Sequence, residues 1–135
     1  MNKVLEIQSV MHPFPHSVGV AQKLKTAKEM LAEYNIRHLP VQKGGELIGI
    51  ISENDILFAQ AVEQAKGDEL TVADAFTEEP YVVEPTASVA SVARRMADDH
   101  IGCALIAEKG KLVGIFTTVD ACRTLDHCLA GSYQE

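Results

Sequence analysis

Two stretches of the chain end an apolar run with a hydroxyl residue and place a carboxylate three residues later. They are Gly49-Ile-Ile-Ser52-Glu-Asn-Asp55 and Gly114-Ile-Phe-Thr117-Thr-Val-Asp120. At that spacing the two side chains can close a capping box, each satisfying a backbone amide at the start of a helix. His12 and His16 have the separation of metal-binding pairs on helices, but Pro13 and Pro15 fall within the segment. No regular helix then holds both rings on one face, and with no Glu or Cys cluster beside them metal is not expected. His38 and His100 are expected as packed or surface histidines. Cys103, Cys122 and Cys128 form no CxxC pair, and their odd number fits reduced thiols better than a disulfide framework. Cys103 is expected to be a small buried hydrophobe, and Cys122 and Cys128 structural. No Ser-His-Asp order, paired catalytic carboxylates or Gly-rich phosphate loop supports turnover, so the chain is not expected to be an enzyme.

Composition narrows the function further. The 135 residues carry 12 Lys+Arg against 19 Asp+Glu, a formal charge of −7. A chain this acidic has no basic field with which to bind nucleic acid or an anionic membrane. Apolar residues make up 47% and charged residues 23%, which is the balance of a folded globular chain. No basic stretch followed by an apolar run opens the sequence, and no apolar run is long enough to span a bilayer. The expectation is a soluble, cytoplasmic α/β or α+β protein.

The elements that must position the two motifs come from an internal repeat. Gly49 and Gly114 lie 65 residues apart, as do Asp55 and Asp120, Ile36 and Ile101, Val18 and Val83, and Pro15 and Pro80. In each copy a short apolar strand follows the proline. Leu24, Ala27 and Leu31, or Val89, Val92 and Met96, then mark one face of a helix, with Ser88 as an N-cap. Leu39 to Val41 or Ala104 to Ile106 reads as a strand. The glycine-containing turns Lys43-Gly44-Gly45 and Lys109-Gly110 lead into a second strand, Leu47 to Ile51 or Leu112 to Phe116, which makes a hairpin. A last helix starts at Ser52 or Thr117 and is expected to reach Ala65 or Leu129. The copies occupy residues 9–66 and 71–130, each β-α-β-β-α, with Gln64 to Glu69 as linker. About 60 residues make a marginal core, so two copies packed sheet to sheet about a pseudo-two-fold axis are expected to bury their apolar faces together.

The doubled order of apolar-Pro-Val strand, glycine turn and Gly-apolar-apolar-Ser/Thr-x-x-Asp resembles a tandem pair of cystathionine-β-synthase (CBS) domains, a Bateman module, here with no other domain attached. Copy one supplies Ile36-Arg-His-Leu-Pro-Val41, and copy two supplies Ile101-Gly-Cys-Ala-Leu-Ile106. The resemblance implies a regulatory module that senses an adenosine-containing ligand, AMP, ADP, ATP or S-adenosylmethionine, in clefts between the copies, with no cofactor required. It implies that Asp55 and Asp120 hold ribose hydroxyls and that Ser52 and Thr117 contact phosphate. It places the base against His16, Ser17 and Val18 with Ile36, Arg37 and His38, and in copy two against Tyr81, Val82 and Val83 with Ile101, Gly102 and Cys103. It also implies a homodimer and a further protein that the module regulates. The alternative is a structural or protein-interaction module whose clefts have degenerated. Arg37 is the cation in these segments best suited to a phosphate, and copy two has Gly102 in its place. Ile56, Leu57, Phe58, Leu125 and Leu129 on the last helices exceed what one sheet face requires, and such a surplus points to an interface.

Overall fold

The computed structural model describes residues 4–63 and 69–131. The chain divides into two compact units. One is Pro15–Pro80; the other joins the N-terminal segment through Phe14 to the chain from Tyr81 onward. The expected linker, apart from Glu69, and the expected end of a helix at Ala65 lie outside the described residues.

In the first unit, β2 (Val18–Gly19), α1 (Leu24–Glu33), β3 (His38–Lys43), β4 (Glu46–Ser52) and α2 (Glu53–Val62) follow the expected β-α-β-β-α order. The second repeats it with β6 (Val82–Val83), α3 (Val89–Asp98), β7 (Cys103–Glu108), β8 (Lys111–Thr117) and α4 (Thr118–Leu129). β2 runs parallel to β3 and β6 to β7, the arrangement that a crossover helix permits. β3–β4 and β7–β8 are antiparallel hairpins. Each closes on two residues of positive φ, Gly44 (60°) with Gly45 (83°) and Lys109 (52°) with Gly110 (80°). Those angles match the right-handed twist of the flanking strands.

The helix faces are as the spacing predicts. Leu24, Ala27 and Leu31 are buried in the first unit with Val18, Leu39, Val41, Ile51 and Ile56. Val89, Val92 and Met96 are buried in the second with Ala104, Ile106 and Phe116. Burying side chains of this kind stabilises by about 1.5–3 kcal/mol each. The Ser88 hydroxyl accepts from the Ser91 amide, capping α3.

The fourth strand of each sheet comes from the segment that leads the other copy. β5 (Thr77–Glu78) follows a 3-10 turn at Val72–Asp74 and pairs with β4; β1 (His12–Pro13) follows a 3-10 turn at Ile7–Ser9 and pairs with β8. These segments also complete the helix starts. The Leu24 amide donates to the Leu70 carbonyl (2.9 Å), and the Val89 amide to that of Leu5 (2.9 Å). Lys23 offers α1 no side-chain cap, so the borrowed carbonyl does that work for its first amide. Repeat and compact unit are thus different divisions of this chain. The motif glycines follow from the same packing. A Cβ on Gly49 would strike the Thr77 carbonyl and the Phe76 ring, and one on Gly114 would strike the Met11 side chain.

Candidate functional site

Both hydroxyl–carboxylate motifs sit where a central strand turns into a helix, and both close a capping box. In the first unit the Asp55 amide donates to Ser52 Oγ (3.1 Å), while the Ser52 amide donates to Asp55 Oδ2 (2.9 Å). In the second the Asp120 amide donates to Thr117 Oγ1 (3.3 Å) and the Thr117 amide to Asp120 Oδ2 (2.9 Å). The next amide is also used: Glu53 donates to the Arg37 carbonyl (3.1 Å) and Thr118 to that of Gly102 (3.2 Å). Much of the donor capacity of these helix starts is therefore spent internally. A third box, Thr71 with Asp74, opens the 3-10 turn of the first unit. The box by itself therefore does not distinguish a ligand motif from an ordinary helix start.

The carboxylates differ in their remaining partners. Thr77, on the borrowed strand β5, donates its hydroxyl to Asp55 Oδ2 at 3.4 Å. Asp120 Oδ2 accepts from the Thr117 hydroxyl (3.1 Å), and its Oδ1 accepts from Arg123 Nη1 (3.4 Å).

The expected base-lining residues differ in exposure and in partners. Val18 and Cys103 are buried, and Ile36 and Ile101 pack partly against the cores. His16 and Tyr81, which correspond in the repeat, each carry a planar group on the ring. Tyr34 stacks on His16 with centroids 3.6 Å apart and planes 5° apart. The Arg95 guanidinium lies 4.6 Å from the Tyr81 centroid and is held by Asp99 at 3.2 Å. Neither Tyr34 nor Arg95 was expected at a site, since each belongs to a helix end or an exposed helix face. Ser17 accepts from Gln42 Nε2 (3.0 Å), Val82 is exposed, and Val83 packs against the second core.

Arg37 lines a groove of about 240 Å3 between α1 and α2, with Lys28, Asn35 and Glu53 at its polar positions and Leu31 and Ile56 among its apolar ones. His38 pairs across the sheet with Ser52. Burial holds its pKa below the ordinary value, Asp55 opposes that shift, and Arg37 adds to it. Burial pushes the Cys103 thiol up to about 12, so it stays protonated and a poor nucleophile. Cys122 and Cys128 are exposed on α4. Among the described residues no three His, Cys, Asp or Glu side chains gather as metal ligands, and no helix is long and apolar enough to cross a membrane.

The CBS domain profile matches the chain twice, over residues 7–62 and 72–127. The chain belongs to the CBS domain family. An inosine-5'-monophosphate dehydrogenase of Korarchaeum cryptofilum is 28% identical over 120 residues, which are 88% of this chain but 24% of that enzyme. The chain thus spans about a quarter of the length of that relative. AcuB of Vibrio cholerae, attributed to acetoin utilization, superposes with a TM-score of 0.87 at 27% identity and 95% coverage of both chains. CBSX2 in complex with AMP gives 0.81 at 25% identity, covering 92% of this chain and 98% of that one. The CBS domain pair of protein MJ0100, in complex with 5'-methylthioadenosine and S-adenosyl-L-methionine, gives 0.80 at 26% identity, covering 89% and 98%. This chain is a mixed α/β CBS pair, with two four-stranded sheets and four α-helices among its described residues.

Proposed function

We propose that this CBS pair is a regulatory module that binds an adenosine-containing ligand, AMP foremost, and catalyses no reaction. The observation that carries the reading is the pair of motif carboxylates, each fixed by a backbone amide at a strand-to-helix turn. A carboxylate held in this way can accept from the two vicinal hydroxyls of a ribose. The helix start beside it favours an anion. Complexes of the related CBSX2 with AMP and of MJ0100 with S-adenosylmethionine support the same ligand class.

In this reading Asp55 and Asp120 hold ribose and Ser52 and Thr117 approach phosphate. The base lies against His16–Val18 and Ile36–His38, or against Tyr81–Val83 and Ile101–Cys103. The regulated protein responds to the change in the module when ligand binds. The exposed apolar residues of α2 and α4 favour the interaction-module reading as the alternative.

The test is calorimetry and thermal melting of nucleotide-stripped protein with AMP, adenosine and S-adenosylmethionine. Ligand at one hundred times its Kd should add about 2.7 kcal/mol, a rise in Tm of roughly 10 °C for a chain of this size. Asp55→Asn keeps an oxygen for the Ser52 amide but removes the charge, and should weaken binding while leaving the ligand-free melt within about 2 °C. If no adenosyl ligand moves the melt at millimolar concentration, the interaction-module reading stands instead.

A further inference from the structure

The two motifs share their capping bonds and part company one turn into the helix. Oδ1 of Asp120 meets Nη1 of Arg123 at 3.4 Å, with 64% of the arginine side chain exposed and 14% of the aspartate. The corresponding residue after Asp55 is Phe58, and it cannot supply a cation. The hydrogen bonds Asp55 receives fall on Oδ2. The first turn of α2 carries two carboxylates, Glu53 and Asp55; that of α4 carries Asp120 alone. Arg37 and Lys28 are the nearby cations of the first unit, and they line the α1–α2 groove with Glu53.

We propose that Arg123 makes the Thr117–Asp120 motif selective for a phosphorylated nucleoside over the neutral nucleoside. This rests on the adenosine-ligand reading and assigns the ligand class of one of its two motifs. Oδ2 of Asp120 already accepts from the Thr117 amide and hydroxyl. A vicinal diol that donates both its hydroxyls to Asp120 without breaking the cap therefore needs both lone pairs of Oδ1 and displaces Arg123. A bond of 3.4 Å between an exposed arginine and its neighbour on the same helix is weak and easily surrendered. The released guanidinium still has its donors, and a phosphate is their best partner because the planar fork matches two of its oxygens. A nucleoside without phosphate gives the arginine nothing in exchange. At Asp55 no such exchange takes place, since no cation leaves Oδ1, and the second carboxylate, Glu53, disfavours an anion.

The test uses the full chain carrying Asp55→Asn, so that the second motif dominates, and reads the ratio of AMP to adenosine affinity by calorimetry. A charge-assisted hydrogen bond corresponds to roughly tenfold or more in affinity. Arg123→Gln should therefore lower the ratio about tenfold with adenosine changed less than about threefold, and Arg123→Lys should restore most of it. A purely structural role would weaken both ligands alike and leave the ratio where it was. An unchanged ratio in a protein that still binds both ligands overturns the assignment of Arg123 and leaves the ligand reading intact. If the unmodified protein binds neither AMP nor adenosine, both fall together.

Discussion

His38 ties the first motif to pH. It sits on β3 across from Ser52, and burial disfavours its charged form more than Asp55 favours it. The folded protein therefore binds this proton less readily than the unfolded chain does. The resulting stability is fully present above the ordinary value of 6.5 and is lost as pH falls from there through the lower folded pKa. Melting measured from about pH 7.5 down to 5 should show Tm falling below about 6.5, and His38→Gln should flatten that part of the curve. A curve of unchanged slope in the variant would remove His38 as the cause. At this scale the sequence disclosed the capping chemistry, because Ser52–Asp55 and Thr117–Asp120 have the spacing a box requires. It could not rank them, since Thr71–Asp74 closes the same box at a single turn of 3-10 helix. Arg123 lies outside the Ser/Thr-x-x-Asp motif, and Phe58 at the corresponding place in copy one gives it no repeat to be read from. The signal was there all the same, in the i, i+3 spacing from Asp120 that brings two helical side chains together.

Among the elements, the borrowed strands decide what the motif glycines tolerate. At Gly49 an added methyl meets the backbone carbonyl of Thr77 and the Phe76 ring; at Gly114 it meets the thioether of Met11. A carbonyl in a paired strand cannot step aside, whereas a methionine can re-pack. Gly49→Ala should cost about 2–3 kcal/mol and Gly114→Ala about 1 kcal/mol, in the range of other overpacking substitutions. Urea denaturation of the two variants reads both values, and equal losses would mean that the Thr77 carbonyl yields as easily as Met11. The hairpins and helices were legible because their signals are local: glycines at two-residue turns, and apolar residues at i, i+3 and i+7. The exchange of leading segments was not. His12–Pro13 and Thr77–Glu78 are two-residue strands with both positions exposed, so they carry no alternation that names a partner sheet. Asn35 and His100 show the limit in another way. Both adopt positive φ just past a helix end, with the following amides of Ile36 and Ile101 returning to Leu31 and Met96. Asn is a familiar occupant of that position, while His gives no such cue.

For the molecule as a whole, the apolar residues that neither unit buries are the surface on which association is predicted. Leu57, Phe58 and Val62 are exposed on α2, and Val119, Leu125 and Leu129 on α4; Ile56, expected among them, is instead 1% exposed and belongs to the first core. Exposed apolar surface of this kind favours a symmetric dimer. Light scattering at micromolar concentration should give twice the chain mass, and Leu57→Glu with Leu125→Glu should return it to that of one chain. A monomer in the unaltered protein would refute the assembly. The reciprocal strands have a temporal consequence as well. Every pairing in the sheet of the first unit lies within Pro15–Pro80, so that sheet can be complete before β8 has left the ribosome. The other unit has to wait: His12 precedes both hairpins, and its partner Ile115 lies in the second strand of the later one. Until then the N-terminal segment is a strand without a sheet, and β8 on its release has an edge without a strand. Contacts this distant in sequence are slow to form, and an open edge invites pairing with another chain. Translation thus delivers the sheet of one unit before that of the other, and the vulnerable interval ends when β1 meets β8.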